Sequence, residues 1–301
     1  SGEGVERIAL VSDQPDQYRG QFSGVAGFSL HHRDELDTLQ KALRDYSGCS
    51  VLIYQQACAA EKRRKRKKTG LNSRPRRVVI HEEICEGCGD CSAQSNCLSV
   101  LPKATPLGRK RQIDQHSCNL DYSCVKGFCP SFVSVLNAVP KQRTAEDNIE
   151  ILFEPLPAVS LPDLSRPWNT VVSGVGGTGV LTVTALIAMA AHIEKKGCAT
   201  LNQSGLAQKF GAVVSHVRIA QQQEDIKAVR VPAGEADLLL GCDLVVSTGY
   251  DTMGKTAIGR THAIINDAAL PTAAFIHNPD AELRTATMRA HIEEQTGATN
   301  V

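Results

Sequence analysis

Three features of this sequence predict a multidomain α/β protein. Strand and helix patterns alternate over the first 57 residues and again after residue 167. Between these regions lie seven of the eleven cysteines: Cys85, Cys88, Cys91, Cys97, Cys118, Cys124 and Cys129. Finally, "VVSGVGGTGV" (171–180) reads as a strand running through a glycine turn into a helix.

Bulk composition narrows the function classes. The 301 residues are 42% hydrophobic, enough for globular cores. With 33 basic and 32 acidic residues the net charge is +1, so the chain is not a polyelectrolyte built for nucleic acid. The opening "SGEGVERIALVSDQ" has no signal-peptide pattern. The longest apolar run, "VLTVTALIAMAA" (180–191), is too short and too polar to cross a bilayer. A reducing, cytoplasmic setting is expected, where clustered thiols bind metal rather than form disulfides. Cys49, Cys58, Cys198 and Cys242 are scattered among apolar residues, where a free cysteine behaves as a small hydrophobe. The chain opens on Ser and stops at "TGATNV", so a piece of a longer polypeptide is expected.

Taken in order, "VERIALVSD" (5–13) has strand composition. "RDELDTLQKALRDYSG" (33–48) repeats Leu36, Leu39, Leu43 and Tyr46 at helical spacing, with Gly48 as a stop. "CSVLIYQQ" (49–56) reads as a buried parallel strand, so 1–57 is expected to end a doubly wound sheet. Lys62 through Lys68 form an unbroken basic block, read first as a solvated helix end. It would suit phosphate or an acidic partner, but no aromatics are interleaved for stacking on nucleic acid. A linker (69–75) leads to the cysteine segment, which opens on the strand-like "RRVVIHEE". Proline-rich "EPLPAVSLPDLSRP" (154–167) is an extended crossover. After the glycine turn and its helix, strands are expected at "AVVSHVRIAQ", "DLVVST" and "HAIIND", with a last helix at "AELRTATMRAHIEEQ". No internal repeat is evident.

Cys85-x2-Cys88-x2-Cys91 puts three thiolates on one tightly curved loop, with Gly87 and Gly89 permitting its backbone angles. Inward-turned amides of such a loop stabilise the charge of a sulfide cluster. A structural zinc site usually offers two separated pairs instead. In the bacterial ferredoxin pattern the fourth cysteine lies elsewhere and precedes proline, as Cys129-Pro130 does. One [4Fe–4S] cluster on Cys85, Cys88, Cys91 and Cys129 is therefore expected. Cys97, Cys118 and Cys124 are spaced irregularly. They either hold a second cluster with an unnamed fourth ligand or are remnants of a lost site.

Gly174-x-Gly176-x-x-Gly179, with Gly177 between, sits in the context of a dinucleotide fingerprint. The ribose-binding acid expected about twenty residues on is missing from "CATLNQSG" (198–205), which disfavours NAD. A different phosphorylated ligand, such as coenzyme A or a thiamine diphosphate at a shared face, or a purely structural turn remain. Gln208, Lys209 and His216 are candidates to face a ligand crevice.

In combination these segments resemble the 2-oxoacid:ferredoxin oxidoreductases, specifically the fused bacterial indolepyruvate ferredoxin oxidoreductases. "HHRDELDTLQKALRD" and "CAAEKRRKRKK" look like the end of that family's thiamine-diphosphate domain. "CEGCGDCSAQSNCLSV" and "IDQHSCNLDYSCVKGFCPSF" look like its ferredoxin-like insert. "SGVGGTGVLTV", "GLAQKFGAVVSHVRI" and "ADLLLGCDLVVS" look like its Rossmann-like gamma-type domain. The resemblance implies domains at 1–70, 76–140 and 168–301, joined by a linker at 141–167. It implies oxidative decarboxylation of a 2-oxoacid on thiamine diphosphate and Mg2+, release as a coenzyme A thioester, electron exit through [4Fe–4S] clusters to ferredoxin, and a homo-oligomeric full-length protein. No G-D-G…N segment for thiamine diphosphate stands in the chain; the resemblance puts that motif before residue 1, so this portion alone should not decarboxylate. The alternatives are a nicotinamide-linked iron–sulfur reductase and a metal-stapled, non-enzymatic interaction module.

Overall fold

The computed structural model describes residues 3–58, 61–62, 64–65, 76–138, 161–205, 210–268, 270, 275, 278 and 281–297. The chain forms two compact units, Ser1–Asn72 and Ser73–Val301.

In the first unit, β1 (Arg7–Ser12) lies between β2 (Phe28–His32) and β3 (Ser50–Gln55), parallel to both. Ala9, Leu10 and Val11 are buried, so the centre of the sheet carries the apolar core. Helix α1 (Leu36–Arg44) follows a reciprocal cap. His32 Nδ1 accepts the Asp34 N–H at 3.3 Å, and Glu35 Oε1 accepts the His32 N–H at 3.1 Å. Strand, helix and strand thus stand where their patterns place them, with parallel pairing as expected. Two details differ. β2, "FSLHH", has too few apolar residues to announce itself. β3 is an edge strand rather than a buried one, and its Ile53 is 47% exposed. Of the basic block, Lys62, Arg64 and Lys65 are helical and exposed, and Arg64 pairs with Glu61 at 2.7 Å. The rest of the block lies outside the described residues.

The second unit begins with the cysteine segment. Its order is β4 (Arg76–Ile80), α2 (Asp90–Ser95), β5 (Val100–Thr105), β6 (Gly108–Ile113), a 3-10 turn at Ser123–Val125, and β7 (Phe132–Leu136). β4 pairs with β7 and β5 with β6, each antiparallel. The outer strands therefore close around the inner hairpin, and the two cysteine loops follow β4 and β6.

A five-stranded sheet follows, in the order β12-β11-β8-β10-β9. Its strands are β8 (Trp168–Val175), β9 (Gly197–Ser204), β10 (Ala212–Ala220), β11 (Leu238–Gly241) and β12 (His262–Ile265). The helices are α3 (Val180–Ile193), α4 (Leu244–Ser247), α5 (Tyr250–Met253) and α6 (Thr285–Thr296). Successive residues of β8 face opposite sides of the sheet. Val171 packs with Leu239, Leu244 and Ile292, while Val172 packs with Val180 and Val213. Helices thus cover both faces. The parallel order of a Rossmann-like fold holds for β8, β11 and β12; β10 runs antiparallel to both β8 and β9.

"DLVVST" is helical rather than a strand. Asp243 caps it by accepting the Val246 N–H at 3.0 Å, and the true strand is the preceding Leu238–Gly241. The corner before β11 is held by Asp237, 3% exposed at its side chain. It accepts from Arg166 at 2.8 Å, Arg260 at 3.0 Å and the Asn169 N–H at 2.8 Å. Burial pushes the Asp237 carboxyl up, but Arg166, the Asn169 amide and Arg260 outweigh it and hold it below the ordinary carboxylate range.

Within this unit the β5–β6 hairpin touches the sheet region. Arg109 Nη1 donates to Ala281 O at 3.3 Å, and the buried Arg111 guanidinium lies 4.7 Å from the Phe275 ring centre. Among the described residues, no helix is long and apolar enough to cross a membrane.

Candidate metal centre

The first cysteine loop is built by β4 and α2. The Cys85 N–H donates to His81 O at 3.0 Å, and the Gly87 N–H donates to Cys85 Sγ at 3.4 Å. Gly87 and Gly89 have φ of +75° and +85°, which turn the chain back between successive sulfurs. Glycine at 87 is required twice over, since a Cβ there would stand 2.2 Å from Arg109 O. Cys129 comes from the far end of the segment. Its sulfur lies 3.0 Å from Ser131 Oγ, and Ser131 O accepts the His81 N–H at 2.8 Å. That bond ties the strand entering the first loop to the strand leaving Cys129.

Cys85, Cys88, Cys91 and Cys129 consequently line one cavity of about 620 Å³, together with Pro130, Cys124 and Arg111. The four residues expected to act together are brought to one place although Cys129 is far from the others in sequence. Among the described residues, no three His, Cys, Asp or Glu side chains gather tightly enough to hold a single ion. A tetrahedral zinc site needs every sulfur about 2.3 Å from one point. Cys85, Cys88, Cys91 and Cys129, lining one cavity, match in number and kind the donor set of an iron–sulfur cluster. Burial pushes the Cys91 thiol up, and Cys85 and Cys88 add to this, while the Arg111 charge acts in the opposite sense. The cavity wall thus carries a buried cation against its thiols.

The other three cysteines also form a group. The Cys124 thiol is pushed up to about 12, first by burial and then by the negative potential of Cys97, Cys118 and Asp121. The Cys118 thiol is raised by burial, with Cys97 and Asp121 adding to it. Cys97, Cys118 and Cys124 are all half-buried. The irregular spacing that obscured them in sequence does not separate them in space.

The glycine turn joins β8 to α3, as expected. Gly174 serves close packing. A Cβ on Gly174 would lie 2.6 Å from Thr178 Oγ1 and 2.7 Å from Cys242 Cβ. The Gly176 N–H donates to Gly211 O at 2.7 Å and the Thr178 N–H to Val175 O at 3.0 Å. Gly177 and Gly179 have φ of +104° and +101°. Beneath the turn, buried Asp243 accepts the Val175 N–H at 2.5 Å. The amides of Val175, Gly176 and Thr178 are thus engaged within the fold, and a carboxylate lies below the turn.

Gln208 and Lys209 lie outside the described residues. His216 does not face a crevice. It is buried in the middle of β10, its Nδ1 accepts the Val231 N–H at 3.3 Å, and burial depresses its pKa to about 4. It is a neutral core histidine.

The family model described as pyruvate ferredoxin/flavodoxin oxidoreductase matches residues 169–300. An indolepyruvate oxidoreductase subunit, IorB, of Archaeoglobus fulgidus is 40% identical over 151 residues, covering 44% of this chain and 72% of that protein. The IorB of Thermococcus kodakarensis is 34% identical over 85 residues, covering 28% of this chain and 41% of that protein. The chain thus spans well under half of the Thermococcus relative and nearly three quarters of the Archaeoglobus one. Among solved structures, the pyruvate oxidoreductase subunit PORC of Thermotoga maritima aligns with 44% of this chain and 58% of its own, at 12% identity and a TM-score of 0.27. With the sheet region matched by the family model and most of the Archaeoglobus subunit covered at 40% identity, the chain belongs to the pyruvate ferredoxin/flavodoxin oxidoreductase family.

Proposed function

We propose that this chain is the electron-transfer and gamma-type portion of a cytoplasmic 2-oxoacid:ferredoxin oxidoreductase of the indolepyruvate type. The observation that carries this reading is the convergence of Cys85, Cys88, Cys91 and Cys129 on one cavity in a chain of this family. A [4Fe–4S] cluster bound there would accept and pass single electrons. The chain's own residues supply the setting. The Gly87 N–H points at Cys85 Sγ, as the amide donors around a cluster's sulfurs do. Arg111, fully buried at the cavity wall, offsets thiolate charge. Phe128, wholly exposed beside Cys129, marks the open side where an acceptor such as ferredoxin approaches.

On this reading thiamine diphosphate, Mg2+ and most of the 2-oxoacid pocket belong to another portion of the full-length protein, and coenzyme A is the co-substrate that takes the acyl group. The outer side of α3 exposes Leu186, Met189 and Ile193, which supports a larger assembly covering it.

The test is spectroscopic and uses the chain as it stands, purified without oxygen. Dithionite should bleach the broad visible absorption of the as-purified protein, and oxidised ferredoxin added in excess should restore it within the mixing time. Restoration that is no faster with ferredoxin than with buffer would contradict the electron-exit role. An absorption spectrum that dithionite leaves unchanged would contradict the cofactor.

A further inference from the structure

The cysteine segment contains a structural repeat that its sequence hides. His81, Cys85, Gly87, Cys88, Gly89 and Cys91 recur as Asp114, Cys118, Leu120, Asp121, Tyr122 and Cys124, a constant 33 residues later. The Cys85 N–H donates to His81 O at 3.0 Å, and the Cys118 N–H donates to Asp114 O at 3.0 Å. The Gly87 N–H reaches Cys85 Sγ at 3.4 Å, and the Leu120 N–H reaches Cys118 Sγ at 3.4 Å. Gly87 and Gly89 are left-handed, and so are Leu120 (φ +57°) and Tyr122 (φ +60°). Two such residues without glycine within one loop are uncommon and mark a backbone held for a purpose. The exits match too. The His81 N–H to Ser131 O bond is mirrored by Asp114 N–H to Ser99 O, both 2.8 Å. Ser131 stands two residues after Cys129, and Ser99 two residues after Cys97.

This correspondence places one residue where the first loop has Cys88. That residue is Asp121, exposed as Cys88 is exposed. Its Oδ1 accepts from the Ser123 N–H at 3.3 Å and from Ser123 Oγ at 3.1 Å, which orients the carboxylate within the loop. We propose that Asp121 is the fourth ligand of a second iron–sulfur site, completed by Cys97, Cys118 and Cys124. The proposal rests on the iron–sulfur reading of this segment and adds a mixed sulfur–oxygen ligand set. The potential of Asp121 at both Cys118 and Cys124 is consistent with that placement.

A carboxylate is a harder, weaker ligand for cluster iron than a thiolate, so the iron it holds is the one lost first. Ferricyanide supplies the test. It takes one electron from the site, and [4Fe–4S]2+ becomes [3Fe–4S]+ with release of one Fe2+. Electron paramagnetic resonance of the anaerobically purified chain should then show about one three-iron spin per chain. Asp121→Cys should reduce that signal at least tenfold while keeping the iron. Asp121→Asn should arrive already one iron short, as [3Fe–4S]0, and ferricyanide should then take one electron and give the full signal with no further release of Fe2+. Equal signals in the wild type and Asp121→Cys, with both loaded, would overturn the assignment of Asp121 alone. A wild-type chain carrying about half the expected iron, with no ferricyanide response, would also overturn this inference while leaving the first site standing. A chain with no iron would overturn both readings.

Discussion

Cys129→Ser is expected to halve the iron and acid-labile sulfide of the anaerobically purified chain, from about eight of each to about four. The reason is geometric. Of the proposed ligands Cys85, Cys88, Cys91 and Cys129, Cys129 alone does not come from the Cys85–Cys91 loop, so it closes the site from the far end of the segment, just before β7. A serine hydroxyl keeps the contact with Ser131 Oγ but is a poor iron ligand at neutral pH, because it stays protonated where a metal-bound thiol does not. The second site draws on Cys97, Cys118 and Cys124 and should keep its metal. Unchanged iron in Cys129→Ser would remove Cys129 from the ligand set. Complete loss of iron, with the far-ultraviolet circular dichroism unchanged, would show that the two sites load as one.

Asp237→Asn should destabilise the second unit by about 3 kcal/mol at neutral pH. Asp237 is buried and gathers two guanidinium groups and one backbone amide. The amide side chain keeps the shape but loses the charge that makes these bonds strong. Urea unfolding followed through Trp168, the single tryptophan, reads this directly, because Trp168 adjoins the Asn169 amide bound to Asp237. The sign of the pH effect follows from the depressed carboxyl. Its stabilisation is complete above the unfolded pKa of about 3.9 and is lost as pH falls through the lower folded value. The deficit of the variant should therefore shrink in acid. A difference below about 0.5 kcal/mol at pH 7 would show that Arg166 and Arg260, both partly exposed, are solvated as well without the carboxylate.

The parts that could be read from sequence were those whose chemistry is local. Cys85, Cys88 and Cys91 at steps of three, followed later by Cys129-Pro130, announce one cavity because a tight loop and a proline-fixed return leave few other arrangements. The strand, glycine turn and helix at 168–193 are visible for a similar reason, since the packing of Gly174 and the positive φ of Gly177 and Gly179 exclude most other residues. What stayed hidden depends on long-range pairing. The antiparallel course of β10 is set by its bonds to β8 and β9, which no local pattern records. The repeat of the two loops is not legible in the sequence because Leu120 and Tyr122 stand where Gly87 and Gly89 do and Asp121 stands where Cys88 does. The spacing to the last cysteine also shrinks by one residue, from Cys91–Cys97 to Cys124–Cys129. The residue signature of the loop changed while its hydrogen bonds did not. His216 misled in the other direction: a polar residue in "AVVSHVRI" looks available for a ligand, yet its ring nitrogen satisfies the Val231 amide inside the core.

The most direct measurement is iron and acid-labile sulfide per chain after anaerobic purification. About eight of each is expected, four for the cavity of Cys85, Cys88, Cys91 and Cys129 and four for the site completed by Asp121. Stoichiometric zinc without iron or sulfide would contradict the claim that these loops surround iron–sulfur clusters.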